Sequence, residues 1–278
     1  MAAEAVATEG EVTSVDGTRL FYRAWTQAQA SHTFAVVHGL GEHSGRYEAF
    51  AEAMQRRGMA TYAVDLRGHG KSQGQRGHVD SWTQWIDDVA SFVARVESLS
   101  ATGEVIPLGH SFGGVAMLST VLAGQLKRAK RFIVSSPALK LKVDVPQWKV
   151  SLGNVTSRLA PRMSLANEVD AGTISRIPEV VEAYRTDPLV HAKISSRMYT
   201  EWHSAAEDVL AHADRIDIPF LILAGDADRL IDSAGSEQLH ARAAQKSTLH
   251  MLPGRYHEPF NDLGSEEVFD IIARWTAT

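Results

Sequence analysis

The chain has 278 residues, 44% of them hydrophobic, a formal net charge of −5 and no cysteine. That is enough apolar material for a sizeable core, while the acidic balance argues against a nucleic-acid partner, which would leave a basic footprint. Without cysteine there can be neither a disulfide nor a thiolate metal site. The opening stretch carries Glu4 and Glu9 where a signal peptide needs basic residues, and it lacks an apolar h-region. No apolar run is long enough to span a bilayer. The expectation is a soluble, cytoplasmic protein whose oligomeric state the sequence does not give.

In chain order, the first element is a hairpin. Glu11 to Val15 and Thr18 to Trp25 flank Asp16-Gly17, a dipeptide favoured in type I′ turns. Short, almost wholly apolar runs follow: Thr33 to Val37, Met59 to Val64, Val105 to Leu108, Phe132 to Val134, Phe220 to Ala224 and Thr248 to Leu252. Runs without alternation suit strands buried on both faces of a parallel sheet. Helical candidates lie between them, at Tyr47 to Arg57, Ser81 to Leu99, Phe112 to Leu126, Ser233 to Ala244 and Glu266 to Trp275. This alternation predicts an α/β fold with a mostly parallel central sheet and helices on both faces.

The rhythm pauses between about Lys140 and His203, where no strand is predicted. Trp148, Leu152, Val155 and Leu159 are spaced to share one helical face. A second helix is expected from Pro178 to Arg185, stopped by Asp187-Pro188. Packing onto the domain beneath accounts for the apolar stripe. A sharper reading is an inserted helical cap whose apolar face lines a substrate entrance and makes transient contact with a lipid surface. The corresponding division is a core over residues 1–139 and 206–278 with an insertion over 140–205.

Gly109-His110-Ser111-Phe112-Gly113 matches G-x-S-x-G. Average residue usage gives a chain of this length roughly a one in ten chance of that pattern, so the motif alone is weak. Its setting strengthens it: an apolar run precedes and a helical pattern follows, as in a strand–turn–helix nucleophile elbow. A serine on so sharp a turn leaves no room for larger side chains two residues away. The following helix N-terminus favours negative charge developing nearby. The second glycine-flanked turn, Val36 to Gly41, ends the third strand. Two N–H donors are needed for an oxyanion, and the backbone N–H groups of Phe112 and Leu40 are the candidates. His38 is expected to bind neighbouring backbone and hold the loop.

Three aspartates follow the Phe220 to Ala224 run: Asp226, Asp228 and Asp232. Asp228 is favoured as the acid because it can turn back toward the sheet edge; Asp232 is expected to cap the next helix. His257, just past the last strand candidate, is the expected base, with Asp228 fixing its tautomer. His250 is read as structural and His240 as solvent-facing. Gly70-Lys71-Ser72 is a false lead, since a phosphate-binding loop needs glycine where Asp65 stands. Arg67, His69 and His78 lack the spacing of a recognised metal site, so no metal is expected.

Several of these stretches together resemble the monoacylglycerol lipase family, a lysophospholipase-like branch of the serine α/β-hydrolases. They are His38 to Tyr47, Asp65 to Ser72, Gly109 to Gly114, Ala227-Asp228-Arg229, Tyr256-His257-Glu258 and, in the insertion, Pro178 to Tyr184 with Asp187 to Val190. The likeness runs from the first hairpin to the last helix, and the His38 to Tyr47 decapeptide is quite specific. It implies an α/β-hydrolase fold with a cap, a Ser111–Asp228–His257 triad, no cofactor, and hydrolysis of one acyl chain from glycerol. A lysophospholipase or a broad carboxylesterase is the nearest alternative; a non-catalytic ligand-binding protein is the alternative of another class. The chain departs from the family pattern at Phe112, Leu40 and Ile177, the first two expected to reshape the pocket floor.

Overall fold

The apolar runs form the middle of a sheet. The computed structural model describes residues 7–100, 103–142, 155–166 and 170–278. Among them, strands β1 (Thr8–Thr13), β2 (Arg19–Trp25), β3 (His32–Val37), β4 (Ala60–Val64), β5 (Glu104–His110), β6 (Phe132–Ser135), β9 (Phe220–Gly225) and β10 (Ser247–Leu252) make one eight-stranded sheet in the order β1-β2-β4-β3-β5-β6-β9-β10. The β1–β2 and β2–β4 pairs are antiparallel, and the remaining pairs, from β4 to β10, are parallel. Every residue of β4, β6 and β9 is buried. The last strand differs from the expectation of two buried faces: β10 is an edge strand with Thr248 exposed and three half-buried residues.

The first turn also differs. Only Gly17 of the Asp16-Gly17 pair has positive φ, at 86°, and Ser14 bonds Thr18 across the loop. The turn is therefore a longer loop closed by a left-handed glycine, not a two-residue type I′ turn, which needs positive φ at both central positions.

Two helical layers cover the sheet. On one face α2 (Trp82–Leu99) and α3 (Phe112–Leu122) bring Trp85, Phe92, Phe112 and Met117 into a single cluster with Trp202 and Val209 of α5 (Ser196–His212). On the other, α1 (Glu48–Arg56) and α7 (Ser265–Thr276) place Phe50, Met54, Phe269 and Ile272 against Phe34 and Ile106. Two further α-helices are α4 (Pro178–Thr186) and α6 (Ala234–Arg242). Strand order reverses at β3, which has β4 on one side and β5 on the other. Crevices at such a switch point, outside the carboxyl ends of the strands, are where α/β sheets bind ligands.

Between β6 and β9 the chain leaves the sheet. Against the expectation of no strand, β7 (Ser164–Ala166) pairs antiparallel with β8 (Lys193–Ser195). Each has three residues and no apolar run, so neither carries a periodic signal. Position 205, the expected end of the insertion, falls inside the continuous helix α5. Trp148 and Leu152 lie outside the described residues. Residues 155–159 are helical, with Ser157 bonded to Thr200 and Arg197 on α5. Val155 and Leu159 instead face outward, 52% and 81% exposed, so packing does not account for their half of the stripe. No helix among the described residues is long and apolar enough to cross a membrane.

The loop after β4 is built on charge. Arg67 makes a two-pronged bond to the wholly buried Asp88 on α2, both contacts 2.6 Å, and reaches Asp16 of the first turn at 2.7 Å. Removing one member of a buried pair leaves a charge without compensation. Arg67→Met should lower unfolding free energy by about 3–5 kcal/mol in urea titrations. Arg67→Met combined with Asp88→Leu should recover most of that loss.

Candidate active site

Ser111 sits between β5 and α3 with φ 52° and ψ −118°, a region that a non-glycine residue rarely adopts. Such strain costs about 1–3 kcal/mol and persists only where the surroundings over-determine it. Here the neighbouring strand ends do so: Ser111 N donates to Ser135 O at 2.8 Å, and Ala138 N donates to Ser111 O at 3.0 Å. The glycines of the motif are sterically required. A Cβ on Gly109 would run into the backbone of Gly113, and one on Gly113 would run into the carbonyls of Val37 and His38.

His257, on the loop after β10, is bonded on both sides of its ring. Nδ1 donates to Asp228 Oδ2 at 2.7 Å, and Nε2 lies 2.8 Å from Ser111 Oγ. A carboxylate only accepts, so it fixes the proton on Nδ1 and leaves the Nε2 lone pair facing the hydroxyl. The other oxygen of Asp228 accepts from the backbone N–H of Leu230 and Ile231 at 2.8 and 3.0 Å. All three side chains are buried. Burial alone would lower the pKa of His257, but the Asp228 charge and hydrogen bond, helped by Glu258 and Glu42, raise it above the ordinary imidazole value. Burial works the other way on Asp228, and its bonds to His257 and to backbone N–H groups outweigh it, so that the carboxyl stays below its usual range.

Of the three aspartates after β9, only Asp228 meets the histidine. Asp226 accepts from Gly254 N at 2.6 Å, and Asp232 accepts from Ala234 N at 3.1 Å at the start of α6. His38 takes the role expected of it. Its Nε2 accepts from Leu66 N at 2.9 Å, which puts the proton on Nδ1, 2.6 Å from Gly39 O. His240 departs from expectation: it is half-buried, with Nδ1 2.7 Å from Ser247 Oγ. Arg67, His69 and His78 are engaged with Asp88, the Arg67 carbonyl and Ser195 respectively.

Leu40 stands on the loop after β3, which lies against the turn that carries Ser111 and leads into Phe112. A Cβ on Gly39 would lie 3.2 Å from the Cβ of Ser111, so the two backbones are nearly in contact. Phe112 opens α3, where the first N–H groups have no partner within the helix. Its side chain does not shape a pocket floor, as the sequence suggested. It is wholly buried, edge-on to Trp85 at 4.7 Å and Trp82 at 5.3 Å, and 5.9 Å from Trp202.

Several residues at the site have no counterpart among those singled out from sequence. His110 packs its ring 5.0 Å from that of His257, and burial with the neighbouring imidazole pushes its pKa down to about 4. It is therefore neutral near pH 7 and leaves His257 as the ring that takes a proton. Lys142, at the start of the insertion, donates through Nζ to Asp228 O at 2.6 Å. Glu42 accepts from Gly39 N at 2.6 Å and holds the loop that carries Leu40.

A hydroxyl, an imidazole and a carboxylate in one relay above a mostly parallel sheet define a serine hydrolase of the α/β-hydrolase class. The family model described as "Serine aminopeptidase, S33" matches residues 28–264. The chain is 33% identical over 271 residues to a monoacylglycerol lipase of Mycolicibacterium smegmatis, an alignment covering 96% of each. A crystal structure of a monoacylglycerol lipase from Paleococcus ferrophilus aligns with a TM-score of 0.81 and 30% identity over 98% of both chains. A Bacillus subtilis phospholipase is 26% identical, with 91% of this chain and 97% of that one covered. The chain belongs to the monoacylglycerol lipase family of serine α/β-hydrolases.

A neutral imidazole is the form that can accept the hydroxyl proton, so activity should fall as pH drops through the pKa of His257. Because that pKa is raised from 6.5, the acid limb of kcat/KM should have its midpoint above this value. Asp228→Asn should reduce kcat by about 10⁴-fold by allowing the wrong tautomer.

Proposed function

We propose that this ester hydrolase cleaves monoacylglycerols to fatty acid and glycerol through an acyl-enzyme on Ser111. Ser111 Oγ attacks the ester carbonyl while its proton passes to His257 Nε2. Asp228 stabilises the imidazolium that forms, and the backbone N–H groups of Leu40 and Phe112 receive the developing oxyanion. Collapse of the tetrahedral intermediate breaks the bond to the glycerol oxygen, which takes the proton from His257. Water then gives a proton to the same nitrogen and adds to the acyl group, and the bond to Ser111 Oγ breaks as that oxygen takes the proton back from His257, releasing the fatty acid. The relay running from Asp228 through His257 to Ser111, with bonds of 2.7 and 2.8 Å, carries this reading. A ligand-binding protein has no use for a base so placed.

The insertion is proposed as the cap, with Trp148, Leu152, Val155 and Leu159 offered to the acyl chain and to a lipid surface. Support comes from the exposure of Val155, Leu159 and also Met163, which is 46% exposed. The monoacyl preference rests on the similarity to the two monoacylglycerol lipases, and the similarity to a phospholipase keeps lysophospholipids as the second reading. A cytoplasmic location belongs to the same proposal, and cell fractionation tests it.

Ser111→Ala should cost on the order of a millionfold in turnover if the triad acts as a unit. Near-full esterase activity in that variant would overturn the assignment. Monoacylglycerols of graded chain length, compared with lysophosphatidylcholine and short p-nitrophenyl esters, should show the highest kcat/KM among the monoacylglycerols. Val155→Asp with Leu159→Asp should depress hydrolysis of dispersed monoacylglycerol while leaving a short soluble ester untouched.

A further inference from the structure

Beside the relay lies a second buried polar cluster that the reaction steps above do not use. Arg46 grips Glu258 with two prongs, NH1 to Oε1 at 2.6 Å and NH2 to Oε2 at 2.8 Å, and its NH1 also reaches Glu42 Oε2 at 3.0 Å. The other oxygen of Glu42 accepts from Gly39 N at 2.6 Å and from the Tyr47 hydroxyl at 3.0 Å. Glu258 is fixed in turn, its N donating to Ile174 O at 2.9 Å and its Oε2 accepting from Asn261 Nδ2 at 3.1 Å. Tyr184 of α4 covers the guanidinium, its ring centre 4.7 Å from the central carbon. The three charged side chains are 5–9% exposed.

A buried ion cluster of this kind is a poor source of stability, since well-packed apolar residues of similar volume often do as well or better. What it does supply is a fixed distance. Glu42 is three residues beyond Gly39, on the loop that bears Leu40, and Glu258 is the residue after His257. Arg46 therefore joins the loop of the proposed oxyanion donor to the loop of the base, across 212 residues of chain. The cluster also biases the charge around His257. The groups that act on the imidazole are Asp228, Glu258 and Glu42, with His110 neutral beside it and Arg46 as the nearby cation.

We propose that Glu42, Arg46 and Glu258 form a positioning bridge that holds the oxyanion loop and the His257 loop at their working separation and keeps excess negative charge beside the imidazole. The bridge rests on the reading of Ser111 and His257 as nucleophile and base.

Steady-state kinetics and pH profiles on p-nitrophenyl butyrate test it, with Ser111→Ala as the control on that underlying reading. Full activity in Ser111→Ala would remove the site assignment, and the bridge with it. With Ser111→Ala inactive, Arg46→Met should lower kcat by about 10- to 100-fold, the scale expected of a small misplacement of reacting groups. KM should change little, and Arg46→Lys, which keeps the charge but not the two-pronged grip, should recover part of the loss. The acid limb of kcat/KM should move in opposite directions: to lower pH in Glu258→Gln, which removes a negative neighbour, and to higher pH in Arg46→Met, which removes a positive one. The triple variant Glu42→Gln/Arg46→Met/Glu258→Gln leaves no unpaired buried charge and guards against a misfolded single variant. It should show the kcat loss with the acid limb shifted to lower pH. Wild-type kcat and an unmoved acid limb in the folded triple variant, or in folded Glu258→Gln if the triple does not fold, would overturn the proposal.

Discussion

His257 is bonded on both sides of its ring, to Asp228 at 2.7 Å and to Ser111 at 2.8 Å, and these three residues stand on loops that follow β10, β9 and β5. Because strands β5, β6, β9 and β10 run parallel, those loops all emerge at one edge of the sheet. The relay therefore needs no long reach from any side chain, and it depends on the strands keeping their register. The unfavourable backbone of Ser111 is tolerated for the same reason. Its N–H is bonded to the last residue of β6 and its C=O to the chain just beyond that strand, so relaxing the turn would break the sheet's own connections.

Charge in this molecule is spent inside as well as outside. Arg67 with Asp88, and Arg46 with Glu42 and Glu258, are buried ion clusters that each tie a loop down, the first to helix α2 and the second to the short 3₁₀ turn Ser44–Tyr47. Loops lack the ladder hydrogen bonds that fix strands and helices, so buried charge is one of the few ways to give them a single conformation. In each cluster a guanidinium uses its planar fork to meet a carboxylate with two bonds, which sets direction as well as distance. Lysine could match the charge there but not the direction.

The sheet core was legible in the sequence because its central strands are buried on both faces, so their residues are apolar without alternation and the runs stand out. The elbow was legible because steric necessity leaves glycine at fixed spacing from Ser111. Elements whose structure comes from contacts distant in sequence were not. β7 and β8 have three residues each and exist through pairing with one another. Arg46 and Glu258 meet across 212 residues, and nothing local marks either as a partner. His240 looked solvent-facing on its helix, since its bond to Ser247 lies across the turn into β10. Phe112 was misjudged for a related reason. Phe112 follows Ser111 at a helix start, which sends its side chain away from the Ser111 hydroxyl, here into the cluster of Trp82, Trp85 and Trp202.

Among its ties to the core, the insertion is bonded to the loops that carry Asp228 and Leu40. Its entry pairs with the acid loop: Leu141 bridges Ile231, Lys142 N donates to Leu230 O, and Lys142 Nζ donates to Asp228 O. Further along, Asp187 meets His43 at 2.8 Å and His191 N donates to Gly41 O at 2.9 Å, both on the loop after β3. A displacement of the insertion as a body would thus pull on the loop of Asp228 and the loop after β3 together. The described residues between those anchors are held as well, Ser157 by Thr200 and Arg197, Ile174 by Glu258 N and Arg176 by Asp262, while the side chains of Val155 and Leu159 are left facing outward.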